Sequence, residues 1–371
     1  MGPVNYTFEE LVAHKESGKV SEKLIEKLRC EADEIIKKPT LKVVETKLPR
    51  PSGDLHDYVS IGPYWWPNPD TPDGLPWVNR DGIVNPDTTT AVHIGGVYTN
   101  VQKLALACFY VGDNGYSEYA NRQLYDWFLN PETKMNPNAR YSQGLPGICE
   151  GRSTGLIAFS SVYNLINGIG ILEKLGLIDE EILAGVKAWY VEFTDWILTH
   201  EYGLGADNSA SNHGSWHDAN LLATAVFTGR DALVRKICKT AYFNRIVRQI
   251  TPEGEQPEEL RRTKAMGYSF YNLRALIVVA NIAERLGYTE YWGVDEARGK
   301  CILKSAIDYI YPYVIDPSSF PYQELYPDHQ KSAMSRCLFN VAKRYPNLGY
   351  EEKAEALNDP DSFYNNLEPV F

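Results

Sequence analysis

Val101-Gln102-Lys103-Leu104-Ala105-Leu106-Ala107-Cys108-Phe109-Tyr110 is the stretch on which the fold turns. Its apolar residues fall at three- and four-residue intervals and together cover most of a helix circumference, which predicts a helix buried on more than one side. The same periodicity recurs over 21–37, 94–112, 116–130, 153–176, 181–200, 216–228, 231–249, 265–286 and 299–313. Strict apolar–polar alternation is scarce, so an all-α architecture is expected. Repeated helices joined by Gly- and Pro-rich connectors favour an (α/α) toroid or incomplete barrel of about six to seven helix pairs, with loops at one end building the site.

One region breaks the helical pattern. Residues 50–92 carry Pro51, Pro63, Pro67, Pro69, Pro72, Pro76 and Pro86 and several glycines, which excludes regular helix there. The segment Asp54-Leu55-His56-Asp57-Tyr58 followed by Pro63-Tyr64-Trp65-Trp66-Pro67 is too aromatic for a disordered linker, so a long ordered loop is expected. Tyr64, Trp65, Trp66 and His56 then either line a binding groove or anchor the loop to the core. At 371 residues the length allows one large domain or two ordinary ones, and a single toroid over 1–371 is the expectation.

Composition narrows the function. With 44% hydrophobic, 12% aromatic and 23% charged residues the chain is globular rather than disordered. Its 25 tyrosines suit a groove that is apolar on its face and hydrogen bonding at its edge, although a large helical core also consumes aromatics. A formal net charge of -11 argues against nucleic acid as a partner. A polyanionic partner would require positive residues to gather locally, and Arg140, Arg152, Arg261, Arg262, Lys264 and Arg274 are the candidates. The six cysteines show no paired or zinc-like spacing and read as small core residues. No apolar run is expected to be long enough to span a membrane, and the Met-Gly start lacks a signal-peptide pattern. No cofactor or metal is called for.

Two polar clusters stand out. The first, Asn208-Ser209-Ala210-Ser211-Asn212-His213-Gly214-Ser215-Trp216-His217-Asp218, lies just before an apolar helix. Alone it reads as a helix start with Ser211 or Asn212 as N-cap, and Gly214 leaves room for a ligand to approach the backbone. His217 and Asp218 resemble half of a metal site but lack a third ligand at helical spacing, so a structural histidine is the plainer reading. The second cluster runs from Gly254 through Glu258-Glu259-Leu260-Arg261-Arg262-Thr263-Lys264 to Tyr268 and Tyr271. Its charges could pair on a solvated face, and its tyrosines, one turn apart, could be core.

Taken together the motifs resemble those of the alginate lyase superfamily. The carriers are D-L-H-D-Y at Asp54 to Tyr58, P-Y-W-W-P-N-P at Pro63 to Pro69, R-D-G-x-x-N-P at Arg80 to Pro86, and G-I-C-E-G-R at Gly147 to Arg152. N-H-G-S-W at Asn212 to Trp216 and Q-P-E-E-L-R-R-T at Gln256 to Thr263, followed by Tyr268, complete the set. The pattern covers roughly residues 50–330 and is most similar to polysaccharide lyase family 38, more distantly to family 5. The resemblance implies an (α/α) toroid and β-elimination of 1,4-linked uronate polymers such as alginate or glucuronan, leaving 4,5-unsaturated ends. By motif Asn212 and His213 take the family's Asn-His positions, Arg262 its arginine, because it directly precedes Thr263, and Tyr268 its catalytic tyrosine. A secreted or periplasmic location is the matching expectation, with any signal peptide absent from this chain.

The chemistry is consistent with these roles. Removing the C5 proton of a uronate is hard because the neighbouring carboxylate is already anionic. An amide such as Asn212, assisted by Arg262 or His213, can bind that carboxylate and favour the enediolate. A phenol beside a cation, Tyr268, can serve as phenolate base or phenol acid. Mannuronate and glucuronate place H5 and O4 on the same ring face, so one tyrosine can act in turn as base and acid. Guluronate, the C5 epimer, needs a second group, and His213 is the candidate. Tyr141, Gln143 and Arg152, in a turn-rich segment, either bind neighbouring sugar carboxylates or, for Arg152, brace the following helix. Two other readings remain open at this level: a glycoside hydrolase using carboxylates among Asp54, Asp57, Glu150 and Asp218, and a non-catalytic binder of acidic polysaccharide.

Overall fold

In the computed structural model, which describes residues 2–90 and 92–369, the stretch from Val101 to Tyr110 lies inside the helix Ile94–Val111. Val101, Leu104, Ala105 and Ala107 are fully buried and Leu106, Cys108 and Tyr110 nearly so, which is the broad apolar face read from the sequence. Gly112 ends the helix in the left-handed region at φ 79°, a conformation that costs glycine nothing. The helix packs on Gly115–Phe128 and Val162–Lys174. The second contact is tight because Gly168 has no side chain: a Cβ there would sit 2.9 Å from the Gln102 Cα.

The chain forms two compact units. One holds the residues up to Pro3, Leu28–Asn208 and Ala223–Arg230; the other holds Val4–Lys27, Ser209–Leu222 and Asp231 onward. Helix dominates both, as expected.

In the first unit aromatic rings fill the core. Phe128, Trp189, Tyr190 and Phe193 pack edge-on, tilted or stacked with centroids 4.9–6.5 Å apart. The Tyr190 hydroxyl donates to the buried Tyr98 hydroxyl at 3.1 Å, so neither phenol is left unsatisfied. Part of the tyrosine surplus is therefore core. The proline-rich stretch is ordered, as its aromatics implied, with Ala91 outside the described residues. It carries a strand Val59–Ile61 paired in parallel with Tyr141–Gly144, and Trp65–Trp66 paired antiparallel with Val78–Asn79. One expectation is corrected here. Ser153–Lys174 is long and apolar enough to cross a membrane by length and composition, yet 72% of its window is buried inside the fold, as in a core helix.

In the second unit the helix Ala265–Arg285 is central, with Ala275, Leu276, Val278, Val279, Ala280 and Ala283 all buried. It contacts Ile302–Ile315 and Lys331–Arg344, and the latter packs on Tyr350–Leu357. Several helices here lie outside the predicted segments, three of them for reasons the sequence makes plain. Phe8–Glu16 is short, but Thr7 and Glu10 form a reciprocal capping box that starts it. Lys331–Arg344 escaped notice because its inward face includes Ser335, Arg336 and Asn340, which break the apolar rhythm. Tyr350–Leu357 is short and acidic in its first turn, too brief for a periodic signal.

The stretch expected as one helix over 231–249 is α-helical only over Asp231–Ala241 and then widens into a π-turn over Tyr242–Val247. Such a turn changes which side chains face inward. Here Arg245 is only 2% exposed and grips Asp218 with Nε to Oδ2 at 2.8 Å and Nη2 to Oδ1 at 3.1 Å. Burial alone would raise the Asp218 carboxyl, but His217 and Arg245 outweigh it and hold it below the usual carboxylate range. Removing one member of such a buried pair strands the other. Arg245→Ala is thus expected to cost about 3–5 kcal/mol, seen as a lower urea midpoint at unchanged slope.

Candidate active site

The first polar cluster straddles the start of its helix, with Asn208 to Ser211 before it, Ser211 at the cap position, and the rest inside. The helix runs Asn212–Thr228, so Asn212 and His213 occupy its first turn rather than a cap. The first backbone N–H groups of a helix have no partner within it and carry the positive end of the dipole. A carboxylate from elsewhere in the same unit meets them. Glu259, on the short helix Pro257–Leu260, accepts from the Asn212 backbone N–H at 2.7 Å and from its Nδ2 at 2.6 Å. Both residues are buried, Glu259 at 1% exposure and Asn212 at 2%. Burial pushes the Glu259 carboxyl up, and the Asn212 bonds and the Arg262 charge offset only part of this, leaving it at about 7.

Arg262 and Tyr268 meet as well. The Arg262 guanidinium donates from Nη2 to the Tyr268 hydroxyl at 2.9 Å, and its carbon lies 3.9 Å from the phenol ring centroid. Its neighbour Arg261 turns the other way, to an exposed ion pair with Glu258 at 2.6 Å. The solvated-face reading of the charge run therefore holds for Glu258 and Arg261 and fails for Glu259. Both Arg262 and Tyr268 are half-buried, so the guanidinium acts on a developing phenolate more strongly than it would in bulk water.

A buried polar network ties these pieces together. Ser215 donates to Gln249 Oε1 at 2.9 Å, and Asn272, one helical turn beyond Tyr268, donates to Gln249 Oε1 and Gln256 Oε1, each at 2.9 Å. Gln249 in turn donates to the Ser211 carbonyl at 3.3 Å. The first turn of Ala265–Arg285, which bears Tyr268, is held from outside by Glu324, accepting from the Gly267 N–H at 2.9 Å. Gly214 is not an opening for a ligand, as the sequence suggested. A Cβ there would collide with the Ser209 carbonyl and lie 3.0 Å from Arg245 Nη1, so the space is filled by protein. His213 is half-buried beside Asn212, and Trp216 is buried against Tyr271 with centroids 5.1 Å apart. Lys264 lies over Tyr326 and Arg274 over Trp216.

The remaining candidates belong to the first unit. Tyr141 and Gln143 share the more open face of their strand, with Ser142 and Gly144 on the buried one. Gln143 has φ 51°, a strained setting for a side-chain-bearing residue. Its Oε1 accepts from Arg152 Nη2 at 3.0 Å, and the Arg152 guanidinium sits 5.9 Å from the Trp65 ring. Arg152 immediately precedes the helical turn Ser153–Phe159 and turns its guanidinium to this cluster. Trp66 donates to the Ile83 carbonyl at 3.1 Å and lies under Arg80 at 5.1 Å. Trp65, Trp66 and Tyr64 are only half-buried, anchored yet partly open. His56 is engaged by the Lys134 carbonyl at 2.6 Å, and Asp54 and Asp57 share the Asn136 amide at 2.9 Å, an arrangement that braces the loop. Gln249, Asn272 and Arg245 have no role in the sequence reading, which takes Glu259 as one charge of a solvated run and Gln256 only as a motif position. The only signal was the spacing of Glu259 three residues before Arg262, hidden in a run of charges.

A buried carboxyl–amide pair and a guanidinium-bonded phenol on a helical scaffold are groups that acid–base chemistry can use. The chain belongs to the alginate lyase family, whose sequence pattern matches residues 42–320. It is therefore a polysaccharide lyase, a carbon–oxygen lyase. Its structure is similar to that of an alginate lyase from Bacteroides ovatus, with a TM-score of 0.93 and 30% identity over 100% of this chain and 99% of that one. It also resembles, at a TM-score of 0.54 and 15% identity, alginate lyase A1-III from Sphingomonas species A1, over 90% of this chain and 91% of that one. A variant of A1-III complexed with a tetrasaccharide matches at 0.55 and 15% over the same shares. These likenesses put the fold in the (α/α) toroid class expected from the sequence. No curated protein sequence matches the chain.

Glu259 has a consequence for stability. Its folded-state pKa of about 7 lies above the ordinary 4.5, so between those values the folded protein binds more protons than the unfolded chain. Stability therefore falls as pH rises through that window, by roughly 3 kcal/mol from this group. Urea unfolding of the parent and of Glu259→Gln from about pH 5 to 8 is expected to show the parent losing ground by that order. A difference that stays constant with pH would refute the assignment.

Proposed function

We propose that this lyase acts on 1,4-linked uronate polymers, mannuronan or glucuronan in preference to guluronan, with Asn212, His213, Arg262 and Tyr268 as the reacting set. The observation that carries this reading is the 2.9 Å bond from Arg262 to the Tyr268 hydroxyl in the same unit as the buried Asn212. The remaining N–H of the Asn212 amide binds the sugar carboxylate and stabilises the enediolate that forms as the C5 proton leaves. Arg262 stabilises the phenolate form of Tyr268, which takes that proton and returns one to the departing O4 oxygen. Because H5 and O4 share a face in mannuronate and glucuronate, this single group suffices there. In guluronate H5 lies on the other face, and His213 takes the base role.

Tyr141, Gln143 and Arg152, with Tyr64, Trp65 and Trp66, are proposed to bind further sugars of the chain, and His56 to contribute at the edge. Support comes from the strain at Gln143 and from a half-buried Arg152 whose guanidinium donates to the uncharged Gln143 amide. Residues 1–371 are proposed to act as one domain, since the family match runs through both compact units and the Bacteroides ovatus likeness covers the whole chain. A substrate too large to enter a cell fits a secreted or periplasmic site of action.

The test is an absorbance screen for unsaturated uronate ends over mannuronan, glucuronan and guluronan. Tyr268→Phe is expected to lose at least about a hundredfold in kcat on all three while still binding, the range for removing a general acid–base group. Asn212→Ala is expected to lose about 10²–10³ in kcat, as for an oxyanion donor. His213→Ala is expected to suffer most on guluronan. Equal rates on the three polymers, each retained in His213→Ala, would sink the stereochemical assignment. New reducing ends without the unsaturated chromophore would point to hydrolysis, and binding without turnover in the parent to a mere binder.

A further inference from the structure

Within the second unit one titratable group is deeply buried against the proposed reacting set, yet the elimination itself makes no use of it: Glu259. Its two oxygens are spent on one partner, the backbone and side-chain N–H groups of Asn212. A carboxylate only accepts, so it dictates which end of the Asn212 amide it faces. The amino group must turn toward Glu259, and its second hydrogen is the one left to point elsewhere. The charged groups acting on Glu259 are Arg262, in the turn after its own short helix, and Glu258 beside it. From the helix Asn212–Thr228 it faces Asn212, with His213 next in the chain, and from Ala265–Arg285 comes Tyr268, bonded to that same Arg262.

We propose that Glu259 is a positioning residue that aims the Asn212 amide, and that it takes up a proton from solvent when the anionic sugar binds beside Asn212 and Arg262. This rests on the reaction proposed above. The physical reason is charge balance. An arriving carboxylate competes for the field of Arg262 that helps hold Glu259 ionised, and two carboxylates sharing one guanidinium in a buried site do not both stay charged. Protonation adds one proton to a Glu259 oxygen and breaks no bond in the sugar. It releases Arg262 to act on the developing enediolate and on the Tyr268 phenolate. Glu259, near half-protonation at about pH 7 when no sugar is bound, lies within reach of such a switch.

Two measurements test it. In Tyr268→Phe, expected to bind with turnover at least about a hundredfold slowed, titration calorimetry with a mannuronate oligomer in two buffers of different ionisation heat, slightly above pH 7, is expected to show uptake of several tenths of a proton. Uptake is expected to vanish in Tyr268→Phe combined with Glu259→Gln and to persist in Tyr268→Phe combined with His213→Ala. Uptake unchanged by Glu259→Gln, or lost only with His213, overturns the proposal. The second readout needs no variant at this position. Because the sugar carboxylate stays ionised throughout, the KM of the parent is expected to rise up to about tenfold per pH unit above about 7, with kcat moving less. Restoring a flat KM in Glu259→Gln, at a lower kcat because Gln offers Asn212 one acceptor instead of two, supports it; a flat KM in the parent overturns it. A parent that forms no unsaturated ends brings down the proposed reaction and this inference together, whereas an active parent with unchanged proton uptake brings down this inference alone.

Discussion

The meeting of the Glu259 carboxyl with the first turn of the helix Asn212–Thr228 is the constraint on which the proposed site depends. A helix start offers unpaired N–H groups, and a buried carboxyl needs donors. Each solves the other's problem. Neither would be tolerable alone at 1–2% exposure, and the cost of getting it wrong is larger than any single surface contact in the protein. That cost explains why the short helix carrying Glu259 is itself tied down through Gln256 to Asn272, and through Asn272 to Gln249 and Ser215. A buried network of this kind leaves few alternative arrangements, because slipping one member leaves several polar groups unpaired.

Arg245 serves the same turn from its other side. Its guanidinium, brought inward by the π-turn over Tyr242–Val247, bridges Asp218 within the helix and the Ser209 carbonyl before it, at 3.4 Å. Gly214 lies under that bridge and admits no side chain. The N-H-G-S-W motif is therefore a packing motif as much as a chemical one. Gly214 lets Arg245 close over the turn, Ser215 joins the polar network, Trp216 fills core, and Asn212 and His213 are what the arrangement presents.

How much of this the sequence disclosed follows from where the information lies. The helices with continuous apolar faces, such as Ile94–Val111 and Ala265–Arg285, were legible because periodicity is local. Lys331–Arg344 was not, since buried polar residues on its inner face pair with groups distant in sequence, as Asn340 does with Asn281 at 3.0 Å. The geometry sends Arg262 to a phenol and Arg261 to solvent, a difference that no local sequence pattern shows. Glu259 was misread for the same reason Lys331–Arg344 was missed. Charge runs on short helices are usually solvated, and only a partner 47 residues away in sequence, Asn212, makes this one buried.

An acidic protein that works on an acidic polymer has to solve a local problem that its net charge of -11 does nothing to solve. Local cations are one answer, and both Arg152 in the first unit and Arg262 in the second lie against aromatic rings and donate to a neutral oxygen, of Gln143 and Tyr268 respectively. An aromatic face and a neutral oxygen steady a guanidinium without neutralising it. A carboxyl balanced between its two charge states is the complementary answer. In the second unit the fold keeps Glu259 close enough to Arg262 to balance it when no anion is present, and buried enough to give up its own charge at little cost when one arrives. Burial, which in most carboxyls would be a liability, is here what makes the charge negotiable.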